Sequence, residues 1–215
     1  MASNAKISNW GPKVDTKGLK DLFAPTEIKK YSATPGGIDN LSLSSIDTFS
    51  VPGKGEFEVK FNGYFKVARG NPTSKQWEDA EWFVNMADLK LEGESKQFGG
   101  MKVRLNTSNV SPGQVFAGVN AQNAKACRIA TSAVFEMTDM GVSAFNKEPI
   151  LLMNDGIESV PPVEDPNGEA HIYRLPLFNV KDPNGQPVAY LNRLRYTVGN
   201  YITKQEAKEI QARIK

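Results

Sequence analysis

The stretch from Glu56 to Ala68 constrains this chain more than any other. Phe57, Val59, Phe61, Phe65 and Val67 alternate there with Glu56, Glu58, Lys60, Tyr64 and Lys66. Successive side chains of a β-strand point to opposite faces, so this period of two predicts one strand with a buried face and a wet face. At about 3.3 Å per residue the strand spans roughly 40 Å, a length that belongs to a large sandwich or barrel. The Asn62-Gly63 pair offers a competing two-residue hairpin. That hairpin would set Phe61 against Tyr64 and Val59 against Lys66, mixing apolar and charged groups on one face. The continuous strand is therefore preferred, with Gly63 as a bulge or a point of close packing.

Further strand candidates follow the same logic. Leu41 to Val51 carries Leu41, Leu43, Ile46 and Phe49, and Met101, Val103 and Leu105 alternate with Lys102 and Arg104. Val115 to Val119 is short, Cys127 to Met137 alternates well, and Ile150 to Met153 reads as a fully buried strand piece. From Pro72 to Gly93 two patterns compete. The reading adopted is a short helical turn near Gln76 and then a strand from about Trp82 to Glu92. As a strand this segment has two faces, one with Phe83, Asn85, Ala87, Leu89 and Leu91, the other with Trp82, Val84 and Met86.

Two identical tetrads, Asp165-Pro166-Asn167-Gly168 and Asp182-Pro183-Asn184-Gly185, carry type I turn chemistry. They predict a meander of three antiparallel strands, with Pro176 placing a defect in the middle one. Their Asp and Asn oxygens lack the ligand spacing of a calcium loop. Thr203-Lys204-Gln205-Glu206 is a capping box, and Ala207, Ile210 and Ile214 give the tail a narrow apolar stripe. Together these elements predict an all-β protein. The expected form is a two-sheet, mostly antiparallel β-sandwich, jelly-roll-like or Greek key, over 41–200. An extended N-terminal arm over 1–40 precedes it and a short C-terminal helix over 201–215 follows.

The arm holds Ile7, Trp10, Leu22, Phe23 and Tyr31, large apolar groups that disordered tails tend to lack. These residues are expected to pack on a surface, either that of their own domain or that of a second copy. Self-association through the arm and sheet edges is accordingly the leading functional expectation, with a homo-oligomer or another protein as partner.

Composition removes several functional classes. Lys plus Arg is 26 against Asp plus Glu 24, a net charge of +2. In the arm Lys6, Lys13, Lys17, Lys20, Lys29 and Lys30 are opposed by Asp15, Asp21 and Glu27, which leaves little surplus to neutralise phosphates, so nucleic acid is not an expected partner. One Cys and one His preclude an internal disulfide, a Cys-x-x-Cys zinc site and a paired-imidazole metal site. No glycine-rich phosphate loop and no nucleophile elbow is present. Cys127, in an alternating run, reads as a small core residue, and His171 as a functionally silent one. No catalytic residue, metal ligand or cofactor is assigned, and the enzyme reading is disfavoured. The polar N-terminus and the short apolar runs predict no secretory signal and no membrane span, hence a cytoplasmic or signal-independent location.

One cluster allows a second functional class. Trp77, Glu78, Asp79, Glu81 and Trp82 place two indoles among three carboxylates. That chemistry suits a carbohydrate or another small molecule, with Trp77 and Trp82 as stacking platforms.

Overall fold

The alternating stretch is a strand, β2 (Gly55–Arg69), in the computed structural model. It pairs along its whole length with β1 (Gly37–Val51), from Gly37 opposite Arg69 to Val51 opposite Gly55. The structure describes residues 33–96, 98–117, 125–157, 159–161 and 167–201, with Glu209 and Ala212. The chain divides into two compact units, Met1–Tyr31 and Ser32–Lys215. The first unit, and with it Ile7, Trp10, Leu22, Phe23 and Tyr31 of the expected arm, lies outside the described residues.

Gly63 sits in an unbroken ladder, opposite Leu43 on one side and Leu91 on the other. A Cβ there would stand 2.0 Å from the Lys90 carbonyl oxygen and 2.9 Å from the Leu91 Cα. The glycine is thus a point of close backbone approach and not a bulge.

Two more long strands, β3 (Trp82–Ser95) and β12 (Ala189–Tyr201), flank this pair. The remaining strands are short: β4 (Gly99–Leu105), β5 (Pro112–Ala117), β6 (Lys125–Thr131), β7 (Ala133–Met137), β8 (Val142–Asn146), β9 (Ile150–Ile157), β10 (Asn167–His171) and β11 (Leu175–Asn179). Between β3 and β12 they form two tiers. One tier runs β4-β7-β8-β11 and the other β5-β6-β9-β10. Chain order explains the tiers, because β4 leads into β5, β6 into β7, β8 into β9 and β10 into β11. Each such pair is one long strand broken near its middle.

β12 also pairs with β1, from Leu41 opposite Tyr201 to Ser50 opposite Tyr190. The sheet therefore returns to its start. Four long strands and four broken ones close an antiparallel up-and-down barrel of eight wall positions. This corrects the expected two-sheet sandwich. The phenylalanines and valines of β2 face the barrel interior and not a second sheet. No local pattern announces closure, since it depends on pairing two segments at opposite ends of the described chain. Every described strand has a partner on both sides, so the barrel wall offers no open edge.

Side chains repair the breaks. Asn146 is fully buried where β8 ends. Its Oδ1 accepts from Ala133 N at 2.7 Å, and its Nδ2 donates to Glu148 O at 2.7 Å and to Thr131 O at 3.3 Å. These bonds satisfy backbone groups that the interrupted ladder leaves open. Pro176 lies in β11, close to the break after His171, where a missing N–H is tolerated.

Several finer expectations change. Asp182–Gly185 is a turn, closed by Gly185 N donating to Asp182 O at 3.2 Å. Of the first tetrad, Asn167 and Gly168 open β10 opposite Thr197 and Tyr196, while Asp165 and Pro166 lie outside the described residues. Gly168 serves packing instead: a Cβ there would meet the Tyr196 ring at 2.2 Å. Of Ile150 to Met153 only Ile150 is fully buried. Next to Gln76 the chain makes a single hydrogen-bonded turn, Ala80 N donating to Trp77 O at 3.2 Å, and no helix. The expected C-terminal helix falls outside the described residues apart from Glu209 and Ala212, and the described elements include no α-helix.

Candidate functional site

In an antiparallel barrel alternate residues point inward, and the two halves of this interior are filled differently. The half walled by β4, β7, β8 and β11 is packed with rings. Phe49 stacks on Phe57 at 5.7 Å and meets Phe61 edge-on at 6.3 Å and Phe135 at 5.7 Å, while Phe57 lies 4.2 Å from Phe98. These rings make a solid floor.

Above the floor the interior is open. A cavity of about 110 Å³ is lined by Leu41 and Leu43 of β1, Phe65 and Val67 of β2, Leu89 and Leu91 of β3, and apolar residues of β5, β6, β9 and β12. A bulge helps to build it. Lys66 faces Asp88 but Val67 faces Met86, so Ala87 is skipped in the ladder. Val84 and Met86 thereby point inward together with Leu89 and Leu91. The two faces read from the sequence of β3 thus both contribute to one wall. The cavity runs past Asp39, Leu41, Leu43, Ser45 and Asp47 of β1. At about 3.3 Å per residue and the strand tilt usual in barrels, that is roughly 20 Å along the axis. Apolar side chains make most of that wall.

Polar groups interrupt the wall at few points. At the end carrying the β2–β3 and β9–β10 connections, Arg69 grips Asp39, Nε to Oδ2 at 2.8 Å and Nη2 to Oδ1 at 3.0 Å, and both side chains are buried. Arg69 Nη1 also donates to the carbonyls of Thr34 and Pro35. Trp82 Nε1 donates to Thr34 O at 2.8 Å, and Ala33 N to Lys75 O at 3.0 Å. Residues 33–36 are thereby strapped to this end of the barrel. Thr131 Oγ1 is likewise satisfied, 3.3 Å from Ser111 Oγ and 3.5 Å from Met86 Sδ.

Deep in the lumen the accounting fails. Asp47 is 1 % exposed, and its Oδ1 has no hydrogen-bond partner. Burial pushes its pKa up to about 7, and the Ser45 hydroxyl opposes that rise. Ser45 Oγ is itself buried without a bond of normal geometry. Leaving a polar group in this condition costs about 1–3 kcal/mol. A signal for both residues exists in the sequence. Leu41, Leu43, Ser45, Asp47, Phe49 and Val51 keep period two, so the Ser and the Asp occupy the apolar phase of β1. Cys127 also lines the cavity, and burial pushes its thiol up to about 12, which keeps it protonated near neutral pH.

The tryptophan cluster lies elsewhere. Trp77 is 4 % exposed and Trp82 is fully buried, their rings 5.3 Å apart. Lys125 Nζ sits 5.5 Å from the centre of the Trp77 ring and donates to Glu78 O at 2.9 Å. Burial lowers the Lys125 pKa, and Asp79, Glu78 and Glu81 oppose that shift. Glu81 accepts from Gln114 Nε2 at 2.9 Å, while Asp79 is exposed. The structure therefore joins Trp77 and Trp82 as packed neighbours and gathers the three acids around a buried lysine. Neither indole lines the lumen cavity. Among the described residues no group of three His, Cys, Asp or Glu could hold a metal ion, and no helix is long and apolar enough to cross a membrane.

The fold is shared with a solved structure, that of DynF from the dynemicin biosynthesis pathway of Micromonospora chersina. The two chains are 40% identical, with a TM-score of 0.78, over 92% of this chain and 96% of that one. None of the curated proteins matches. A family model, described as a family of unknown function, DUF6073, matches residues 1–208. The chain belongs to that family.

Proposed function

We propose that this protein binds one elongated, mainly apolar small molecule inside its barrel. The observation that carries the reading is the apolar cavity above a floor of phenylalanines. Well-packed interiors leave few voids larger than a water molecule, so an apolar lumen of this length suits a small-molecule site. The similar DynF chain comes from a biosynthesis pathway, which suits a protein that shelters a small-molecule intermediate or product. The reading is one of binding and not of turnover. It keeps the small-molecule class named from the sequence but moves the site from Trp77 and Trp82 to the lumen.

An apolar dye whose emission rises in dry surroundings tests it. Emission should rise saturably with the full chain, and Ile129→Trp, which fills the lumen, should abolish the rise. No saturable rise, or an equal rise with the filled lumen, would refute the reading. Association of copies through the N-terminal segment is a separate proposal, tested by comparing the native masses of the full chain and a chain lacking residues 1–31. That deletion retains Thr34 and Pro35, which Arg69 needs.

A further inference from the structure

We propose that the molecule in the lumen is an amphiphile carrying a hydrogen-bond donor, a hydroxyl or an amine, at one end, and that this end lies deep against Asp47 and Ser45. The proposal deepens the lumen-binding reading and rests on it.

The polar side chains along the cavity include Asn154 of β9, which has an interaction of its own although its Oδ1 accepts no hydrogen bond. Asp39 and Arg69 satisfy each other at the loop end, and Thr131 is bonded to Ser111 and Met86. Asp47 Oδ1 and Ser45 Oγ, both buried and both lining the cavity, make no hydrogen bond of normal geometry, the Ser45 hydroxyl lying only close enough to Asp47 to oppose its pKa rise. They stand two residues apart on β1 and so project from the same face. Asp47 pairs with Leu194 on one side and Val59 on the other, with Phe49 of the floor next below it on that face. The carboxyl is therefore reached from the lumen and not from outside the wall.

The chemistry of the pair selects the ligand end. A carboxyl offers an acceptor oxygen whether ionised or protonated, and a serine hydroxyl both accepts and donates. A hydroxyl or amine can donate to Asp47 while exchanging a bond with Ser45. A ligand ketone can accept only from Ser45 or from the protonated form of Asp47, and a ligand carboxylate is repelled by the ionised form, whereas a hydroxyl or amine bonds the carboxyl in either state. A purely apolar end would leave both groups unsatisfied, which is the costly state. The titratable groups that face the lumen besides Asp47 are Asp39 and Arg69, already paired, with Cys127 and Tyr196. Burial raises the pKa of both Cys127 and Tyr196, so neither adds charge near neutral pH.

The test is competition against the bound dye, using the full chain and three ligands of equal length: a saturated primary alcohol, the matching primary amine, and the nearly isosteric 1-fluoroalkane. The alcohol or the amine should bind about tenfold or more tightly than the fluoride, the ratio expected of one hydrogen bond to a buried carboxyl. In Asp47→Leu this ratio should fall to about 1, and Ser45→Ala should lower it in part. Equal affinities in the unaltered chain would overturn the donor assignment and leave the apolar lumen standing, as would a ratio that survives both substitutions. Failure of all three to displace the dye would overturn the lumen reading and this proposal with it.

Discussion

Phe49 and Phe135 meet edge to face at 5.7 Å across the barrel interior, on β1 and β7, strands that share no backbone pairing. This contact separates the solid half of the molecule from the hollow one. Phe135 lines the cavity, and Phe49 fills the space beneath it without exposure. The barrel can be hollow because the floor supplies a conventional core.

Truncation of that floor tests this division. Phe49→Ala should destabilise the chain by about 3–5 kcal/mol, the usual cost of emptying a buried ring site. Urea unfolding followed by circular dichroism would measure it. The same variant should lengthen the lumen and shift the preference of the dye-displacement assay toward longer ligands. A loss under about 1 kcal/mol would mean that the ring cluster is not a closed core.

Asp47 should make stability depend on pH. Its folded pKa, raised to about 7 by burial with Ser45 opposing, lies above the ordinary value of 3.8. The folded chain therefore holds this proton more tightly than the unfolded one. The stability is complete below about pH 4 and is lost progressively as pH rises toward 7. Asp47→Asn removes this loss. It should be more stable than the unaltered chain at pH 8, by about 4 kcal/mol at most, with the gap closing as pH falls to 4. Chemical unfolding at a series of pH values would show it, and an Asn variant that is less stable at pH 8 would contradict the assignment.

Arg69→Leu should cost about 3–5 kcal/mol, because it strands the buried Asp39 carboxylate. The double variant Asp39→Leu/Arg69→Leu should recover a large part of that cost. What it does not recover is the bonding of the Thr34 and Pro35 carbonyls, so the residual loss reports the strap of residues 33–36. Thermal melts of the three variants would separate the two contributions.

Gly63→Ala should destabilise by about 1–3 kcal/mol through overpacking. The obstacle is the Lys90 carbonyl on the neighbouring strand, which no side-chain rotation relieves. If Gly63 were an ordinary strand glycine, alanine would be neutral or stabilising.

The strands were legible where one chemical contrast dominates. In β2 the Phe and Val positions against Glu and Lys predict both the element and its buried face, and the bookkeeping around Asn62-Gly63 gives the correct continuous strand. In β3 two half-patterns fall out of phase because Ala87 is bulged, and the ladder partner, not the sequence, decides that. Barrel closure leaves no local mark, since β1 and β12 are joined only by the completed wall. The site was half legible. Ser45 and Asp47 hold inward positions of β1 and can be read from the phase set by Leu41, Leu43 and Phe49. Ile46 on the opposite phase masks that regularity. Trp77 and Trp82 attract notice by composition, yet their rings are spent on packing against each other and beneath Lys125.

Calorimetric titration of the full chain with a long-chain primary alcohol, repeated at several temperatures, tests the ligand-binding lumen most directly. Uptake of one molecule per chain with a clearly negative heat-capacity change is expected, because apolar surface leaves water on both ligand and wall. Saturable binding without that heat-capacity signature, or no saturable heat at all, would contradict it.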